Sequence, residues 1–211
     1  MTTILKLTSL RFLAQGLGMT IYITLLVVLI SLVAGFILAM IYLYAPKIFR
    51  IIVQAYIEIF RNTPMLLWIM VIRFLAPLPL LVSGVLSMSL VTISGIAEDF
   101  RSGINMIPKG QWEAAKSQGF SKVQTLRFVI LPQVIKKLMP ILLTETVTVL
   151  KQSSFLWAIG IKDLTGSGMI LVGRMSDTAE IILTYAILAL VYYVLNDVII
   201  RIAGRLKKEQ A

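Results

Sequence analysis

Long apolar runs, separated by short polar or proline-bearing breaks, organise this chain. Leu17 to Tyr44 holds no charged residue and is long enough to cross a bilayer with tilt. Ile51 to Leu75 is a second apolar stretch, interrupted by Glu58, Arg61 and Arg73. The prolines of Ala76-Pro77-Leu78-Pro79 bias the residues before them away from helix and end it. Leu80 to Ala97 gives a third span. A fourth is expected from about Ile135 to Ile159, with Lys136 and Lys137 at its entry and Glu145 and Lys151 inside. After a Gly-rich loop from Gly160 to Arg174, Ile181 to Ala203 gives a fifth, closed by Arg201, Arg205, Lys207 and Lys208. The pattern predicts an all-α membrane protein with about five transmembrane helices. It divides into an N-terminal segment (1–16), a membrane domain (17–204) and a basic tail (205–211).

One region breaks the rule. From Glu98 to about Gln133, between the third and fourth spans, the chain turns polar and amphipathic. Pro108 suits a helix start, where its missing N–H costs nothing, and Gly119 suits the left-handed residue just past a helix end. Glu113 sits in the first turn, where a negative charge complements the helix dipole, and Ala114 and Ala115 leave a low-relief surface beside it. Ser121 and Gln124 have capping-box spacing, which opens a second short helix. Val123, Leu126 and Ile130 give that helix one apolar face, and Pro132 is expected to stop it.

The first sixteen residues read as an amphipathic helix on the membrane surface. Lys6 and Arg11 interrupt the apolar core that a signal peptide needs.

Composition narrows the chemistry. The chain is 58% hydrophobic and 14% charged, outside the range of soluble globular domains. It has neither Cys nor His, which removes disulfides, thiolate nucleophiles, the commonest metal ligands and the commonest general base. No metal site and no catalytic residue is expected. The net charge of +10 would suggest nucleic acid in a soluble protein. Here no basic helix stands apart from the spans, and cytoplasmic loops account for the excess. With the C-terminus inside, the inner segments hold Lys47, Arg50, Arg101, Lys109, Lys116, Lys122, Arg127, Lys136, Lys137 and the four tail cations. The outer segments hold Lys6, Arg11, Lys162 and Arg174, partly offset by Asp163, Asp177 and Glu180. The N-terminus is therefore expected outside, and the polar region in the cytoplasm.

Within that region, Glu113-Ala114-Ala115, Gly119, Val129 and Leu131-Pro132 have a specific spacing. The arrangement resembles the cytoplasmic coupling motif of permeases in type I ABC importers. "YIEIFRNTP" (Tyr56 to Pro64), "AEDFRSGINMIPKGQWEAA" (Ala97 to Ala115) and "LLTETVTVLKQSSFLWAIGIKDL" (Leu142 to Leu164) look like its polar amino-acid uptake branch. The resemblance covers roughly residues 16 to 204. It implies a bacterial cytoplasmic-membrane permease that pairs with a second permease subunit, the same or a related chain. It further implies two ATP-binding subunits, which carry the ATP and Mg²⁺, and an extracytoplasmic solute-binding protein delivering a polar amino acid. Glu113, Ala114, Ala115, Gly119, Leu131 and Pro132 are the ATPase-coupling candidates. The chain lacks the G-x-x-x-x-G-K-[ST] phosphate loop, so its energy must come from a partner.

Ionisable residues inside spans are functional candidates by default. Glu58 and Arg61 have the spacing of an intrahelical pair, and Asn62-Thr63-Pro64 marks a bend. At 100° per residue, Thr144, Glu145, Thr148, Lys151 and Gln152 share one arc of the fourth span, suited to lining a path or to gluing helices together. Arg73 has two roles open to it: pairing with Glu145, or receiving a solute carboxylate. Two other function classes compete with transport. A non-transporting scaffold would use the cytoplasmic helix only to recruit a soluble partner. An intramembrane enzyme would need His, Cys or paired carboxylates, which the spans do not supply.

Overall fold

The computed structural model describes residues 6–208, and among them every regular element is a helix. The first helix, α1 (Leu7–Tyr44), runs 38 residues, about 57 Å at the usual rise. It absorbs the described part of the expected surface segment, so that segment is no separate helix. Nothing between Arg11 and Leu17 breaks the helix. Gly16 lies in it with Ser167 packed against the place a side chain would occupy. Residues 1–5, and 209–211 of the expected tail, lie outside the described residues. Arg205 does not begin a tail, because the last helix continues through it to Lys208.

The second expected span is two helices. α2 (Lys47–Arg61) and α3 (Met65–Leu75) meet at 106° across Asn62, Thr63 and Pro64. The corner is held by side chains that bond to carbonyls in the last turn of α2. Asn62 Nδ2 donates to Glu58 O at 2.8 Å, and Thr63 Oγ1 donates to Ile59 O at 2.7 Å. Trp68 Nε1 then donates to Thr63 Oγ1 at 2.6 Å, and its ring stacks on Phe60 with centroids 4.3 Å apart.

Helix α4 (Leu80–Asn105) outruns the span expected to end at Ala97, carrying Glu98 and Arg101 into its last turns. The short α5 (Lys109–Ser117) follows, then α6 (Lys122–Gln124), a π-helical segment (Thr125–Ile130) and α7 (Leu131–Gln152) without a break. A 3₁₀ segment (Ser153–Ile159) leads to α8 (Leu164–Val172), where a loop was expected, and to α9 (Thr178–Lys208). α8 exists because Asp163 caps it, accepting from Gly166 N at 2.8 Å, while Leu164 N donates to Thr20 Oγ1 on α1.

α1, α4 and α9 are long and apolar enough to cross a membrane, and the bent α2–α3 pair makes a fourth candidate. α7, expected as a further span, is not among them. Lys136, Lys137, Glu145 and Lys151 lie along its length.

The buried face of α1 runs through Gly16, Thr20, Thr24, Ser31, Gly35 and Ala39. That of α4 includes Ser83, Gly84, Ser87, Ser89, Thr92 and Ala97. Lipid tails are as apolar as Leu, so helices in a bilayer gain little from hiding Leu from lipid. They gain by close packing, which small residues permit. A Cβ on Gly35 would lie 2.7 Å from Ile96 Cγ2. Gly18 has open space beside it and takes no part in this approach.

Two ends result. Ala39, Ile104, Ile107, Ile130, Val134 and Leu138 form a cluster that gathers the end of α1, the end of α4 and the start of α7. Leu13, Leu164, Leu171 and Leu188 gather the start of α1, α8 and the first half of α9.

Candidate functional site

α5 is fixed to the first of these ends. Its last turn closes in a Schellman motif: Phe120 N donates to Ala115 O at 3.1 Å and Gly119 N to Lys116 O at 3.0 Å. That geometry requires the left-handed backbone of Gly119, whose φ is +83°. Trp112 packs against the cluster around Ile104 and Ile130. Gln133 Nε2 ties α7 to α5, donating to Gln111 Oε1 at 3.2 Å and to Val129 O at 2.7 Å. Glu113, Ala114 and Gly119 face outward. The expected low-relief alanine pair is divided, since Ala115 is 4% exposed and seals α5 to the bundle.

The segment after α5 opens with the expected capping box, Ser121 N donating to Gln124 Oε1 at 2.8 Å and Gln124 N to Ser121 Oγ at 3.3 Å. It then departs from expectation. Pro132 does not stop the helix. A proline ring in an α-helix would strike the carbonyl four residues back, but a π turn widens the coil and moves that carbonyl away. Leu131 N accordingly donates to Leu126 O, five residues back. The wider turn also shifts the buried face. Thr125 and Ile130, five apart, are buried, whereas Val123 is 73% exposed. Leu131 is half-buried and Pro132 exposed. α5 is thus linked to α7 by a continuous helix containing one π turn, an irregularity that recurs at functional sites.

Along α7, Thr144 and Lys151 are exposed, and Glu145, Thr148 and Gln152 half-buried. The hydroxyls are used within the helix: Thr144 Oγ1 donates to Pro140 O at 3.0 Å and Thr148 Oγ1 to Thr144 O at 3.3 Å. Glu145 points at α4, its Oε1 3.8 Å from where a Cβ on Gly95 would lie. Arg73 turns to the proline break after α3, with Nη1 donating to Leu78 O at 3.3 Å. Among the described residues no ion pair joins it to Glu145.

The expected Glu58–Arg61 pair does not form. Glu58 accepts from Gln54 Nε2, and Arg61 reaches Glu98 on α4 at 4.0 Å. Glu98 also takes Arg101 Nε at 2.7 Å, and the Arg101 guanidinium lies 5.2 Å from the Tyr42 ring centroid. α2 itself packs on α4, so Arg61 at its end reaches the part-buried Glu98 and not the exposed Glu58 on its own helix.

Residues 31–210 match the family model of the binding-protein-dependent transport system inner membrane component. The chain belongs to this family. It is 27% identical over 206 residues to the probable glutamine ABC transporter permease protein GlnP of Bacillus subtilis (strain 168), covering 95% of this chain and 94% of that one. The L-cystine transport system permease protein TcyL of the same organism is 30% identical, covering 89% and 86%. Among solved structures, an amino acid ABC transporter superposes with a TM-score of 0.87 at 29% identity, covering 96% of this chain and 95% of the other. The MetNI methionine ABC transporter, at 20% identity and a TM-score of 0.78, shares the fold.

Two polar clusters of this permease escaped the sequence. Glu98 and Arg101 fall in the polar region that follows the third expected span, and their i, i+3 spacing is the one signal for a pair on a helix. Asp163, fully buried, accepts from Tyr192 of α9 at 3.4 Å, and the Tyr192 hydroxyl lies 3.0 Å from Thr165 Oγ1. Only its position ahead of a short apolar run marked it as a helix cap.

Proposed function

We propose that this chain is the translocating subunit of an importer for a polar amino acid, driven by two separate ATP-binding subunits, one of which grips α5 of this chain from Glu113 to Gly119. The observation that carries this reading is mechanical. α5 presents Glu113 and Gly119 outward, while Trp112, Ala115 and the Gln111–Gln133 contact fasten it to the start of α7. α7 in turn carries Thr144, Glu145, Thr148, Lys151 and Gln152. A push on α5 therefore reaches the helix with the polar stripe through packed side chains and a continuous backbone, as coupling between rigid elements requires.

The relatives named for glutamine and cystine, and the amino acid transporter of similar fold, support an amino acid as solute. The stripe on α7 and Arg73 are the candidates to line its route, together with a second permease subunit. An extracytoplasmic binding protein delivers the solute, and ATP with Mg²⁺ is held by the partner ATPase. The inner end of the bundle is the one bearing α5, with the N-terminus outside and the C-terminus inside. Lys109, Lys116, Lys122, Arg127, Lys136 and Lys137 all belong to that end, as the positive-inside rule requires.

The test is Glu113→Arg in the complex reconstituted into vesicles. Expected is a membrane fold and expression level like the wild type, with solute uptake and solute-stimulated ATP hydrolysis both lost. Normal uptake with normal stimulation would remove α5 from the coupling role.

A further inference from the structure

Two sets of contacts fix the helical segment between α5 and α7, one on each side of the π turn. On the α5 side, Thr125 is 4% exposed and lies close to Trp112 and Phe120. On the α7 side, Ile130, Val134 and Leu138 are buried at four-residue spacing against the ends of α1 and α4. Glu145, two turns beyond Leu138, keeps to that side and faces Gly95 of α4.

Each residue of a regular α-helix turns the chain by about 100°. In such a helix Ile130, five residues after Thr125, would point about 140° away from it, and Val129 would take its place. The π turn absorbs one residue and brings Thr125 and Ile130 onto one face. The surplus is carried on the outer side, where Arg127 and Phe128 are exposed. A proline alone does not require this, since Pro140 lies inside α7 with regular helix ahead of it. A flexible joint would not bury residues on both of its sides. One amide also ties the two sides together, as Gln133 Nε2 donates to Val129 O within the π segment and to Gln111 Oε1 of α5.

We propose that the π turn sets the rotational phase between α5 and α7, its one surplus residue aligning the outward surface of α5 with the side of α7 that carries Glu145. The assignment rests on the coupling role of α5 given above. With the phase set, α5 and the polar stripe move as one rigid piece. An error of one residue between them turns the stripe by about 100° and delivers the motion to the wrong neighbour.

A length series in the reconstituted importer complex tests this, with P132A as the reference so that no proline ring obstructs a regular helix. Deleting Phe128 removes the surplus residue and leaves Thr125 and Ile130 four apart, in phase without a π turn. This variant is expected to keep its ATP-binding subunits and most of the solute-stimulated ATP hydrolysis. Inserting one alanine after Phe128, or deleting Arg127 and Phe128 together, puts the phase out by about 100° in one sense or the other. In both, stimulated hydrolysis is expected to fall to the unstimulated rate. Equal stimulation throughout would mean a flexible linker, and a single deletion as damaging as the other two would mean that the π turn itself is required. Either result overturns the proposal. The chain has no cysteine, so spin labels at Lys122→Cys and Lys137→Cys, both exposed positions, report the joint directly. Their separation should match the reference in the single deletion and shift in the other two. If it does not, the phase proposal fails whatever Glu113→Arg shows. If it does, and Glu113→Arg leaves coupling intact, the phase stands and the grip on α5 fails.

Discussion

Arg61, at the end of α2, reaches Glu98 on α4 at 4.0 Å instead of pairing with Glu58 on its own helix. Glu98 is the better partner because Arg101 already holds it in place, and its side chain is 18% exposed against 49% for Arg61. The contact fastens the corner of α2 and α3 to α4. Since Arg61 is half-exposed, solvent screening limits the pair to about 0.5–1 kcal/mol. Glu98→Gln should therefore lower the thermal midpoint of the detergent-purified protein by a few degrees, and Glu58→Gln should leave it almost unchanged. A double-mutant cycle of Arg61→Gln with Glu98→Gln measures the coupling directly. A larger coupling between Arg61 and Glu58 would contradict the geometry.

Gly119 closes the last turn of α5 in a left-handed backbone, with φ of +83°. A β-branched side chain in its left-handed backbone costs roughly 1–2 kcal/mol, enough to unwind the Schellman closure without disturbing the spans. Gly119→Val should retain membrane insertion and lose solute-stimulated ATP hydrolysis. Gly119→Asn, which tolerates that backbone, should keep most of it. Equal activity in both variants would show that the closure of α5 is unimportant.

Much of this was legible in the sequence, and the failures have physical causes. Gly119, the Ser121–Gln124 box and the bend at Asn62–Pro64 were readable because each depends on local backbone chemistry. Arg61's partner was not, because the packing of α2 on α4 decides it and no periodicity within α2 encodes that contact. Pro132 misled in an instructive way. Proline ends an α-helix, but its ring fits after a π turn, and nothing in the pattern announced i to i+5 bonding. Asp163 and α8 were lost for a related reason. Glycine-rich sequence in water reads as loop, whereas here Gly166 and Gly168 are buried against their neighbours and let a short helix pack tightly.

The same logic separates two glycines of α1. Gly35→Ala would place its Cβ 2.7 Å from Ile96 Cγ2 and 3.1 Å from the Ala97 backbone nitrogen, neither the end of a flexible chain. Overpacking of this kind costs about 1–3 kcal/mol, more than the roughly 0.5–1 kcal/mol gained from replacing a helical glycine. Gly18→Ala meets nothing and keeps the gain. Thermal unfolding of the purified protein should therefore move in opposite directions for the two variants. A drop for both would mean that Gly18 has a contact outside this chain.

Arg73 and Glu145 remain the most informative charged residues in the candidate solute route. The guanidinium of Arg73 is turned to Leu78 O, and no ion pair joins the two side chains. Their effects should be independent. In uptake assays with a panel of acidic, neutral and basic amino acids, Arg73→Gln should weaken acidic solutes most, by a factor of about ten or more if one charge-assisted contact of roughly 1.5–3 kcal/mol is lost. Adding Glu145→Gln should then multiply the two single losses and rescue neither. Rescue of Arg73→Gln by Glu145→Gln would instead mean that the pair forms in another state of the transport cycle, and Arg73 would pass from the solute route to the conformational switch.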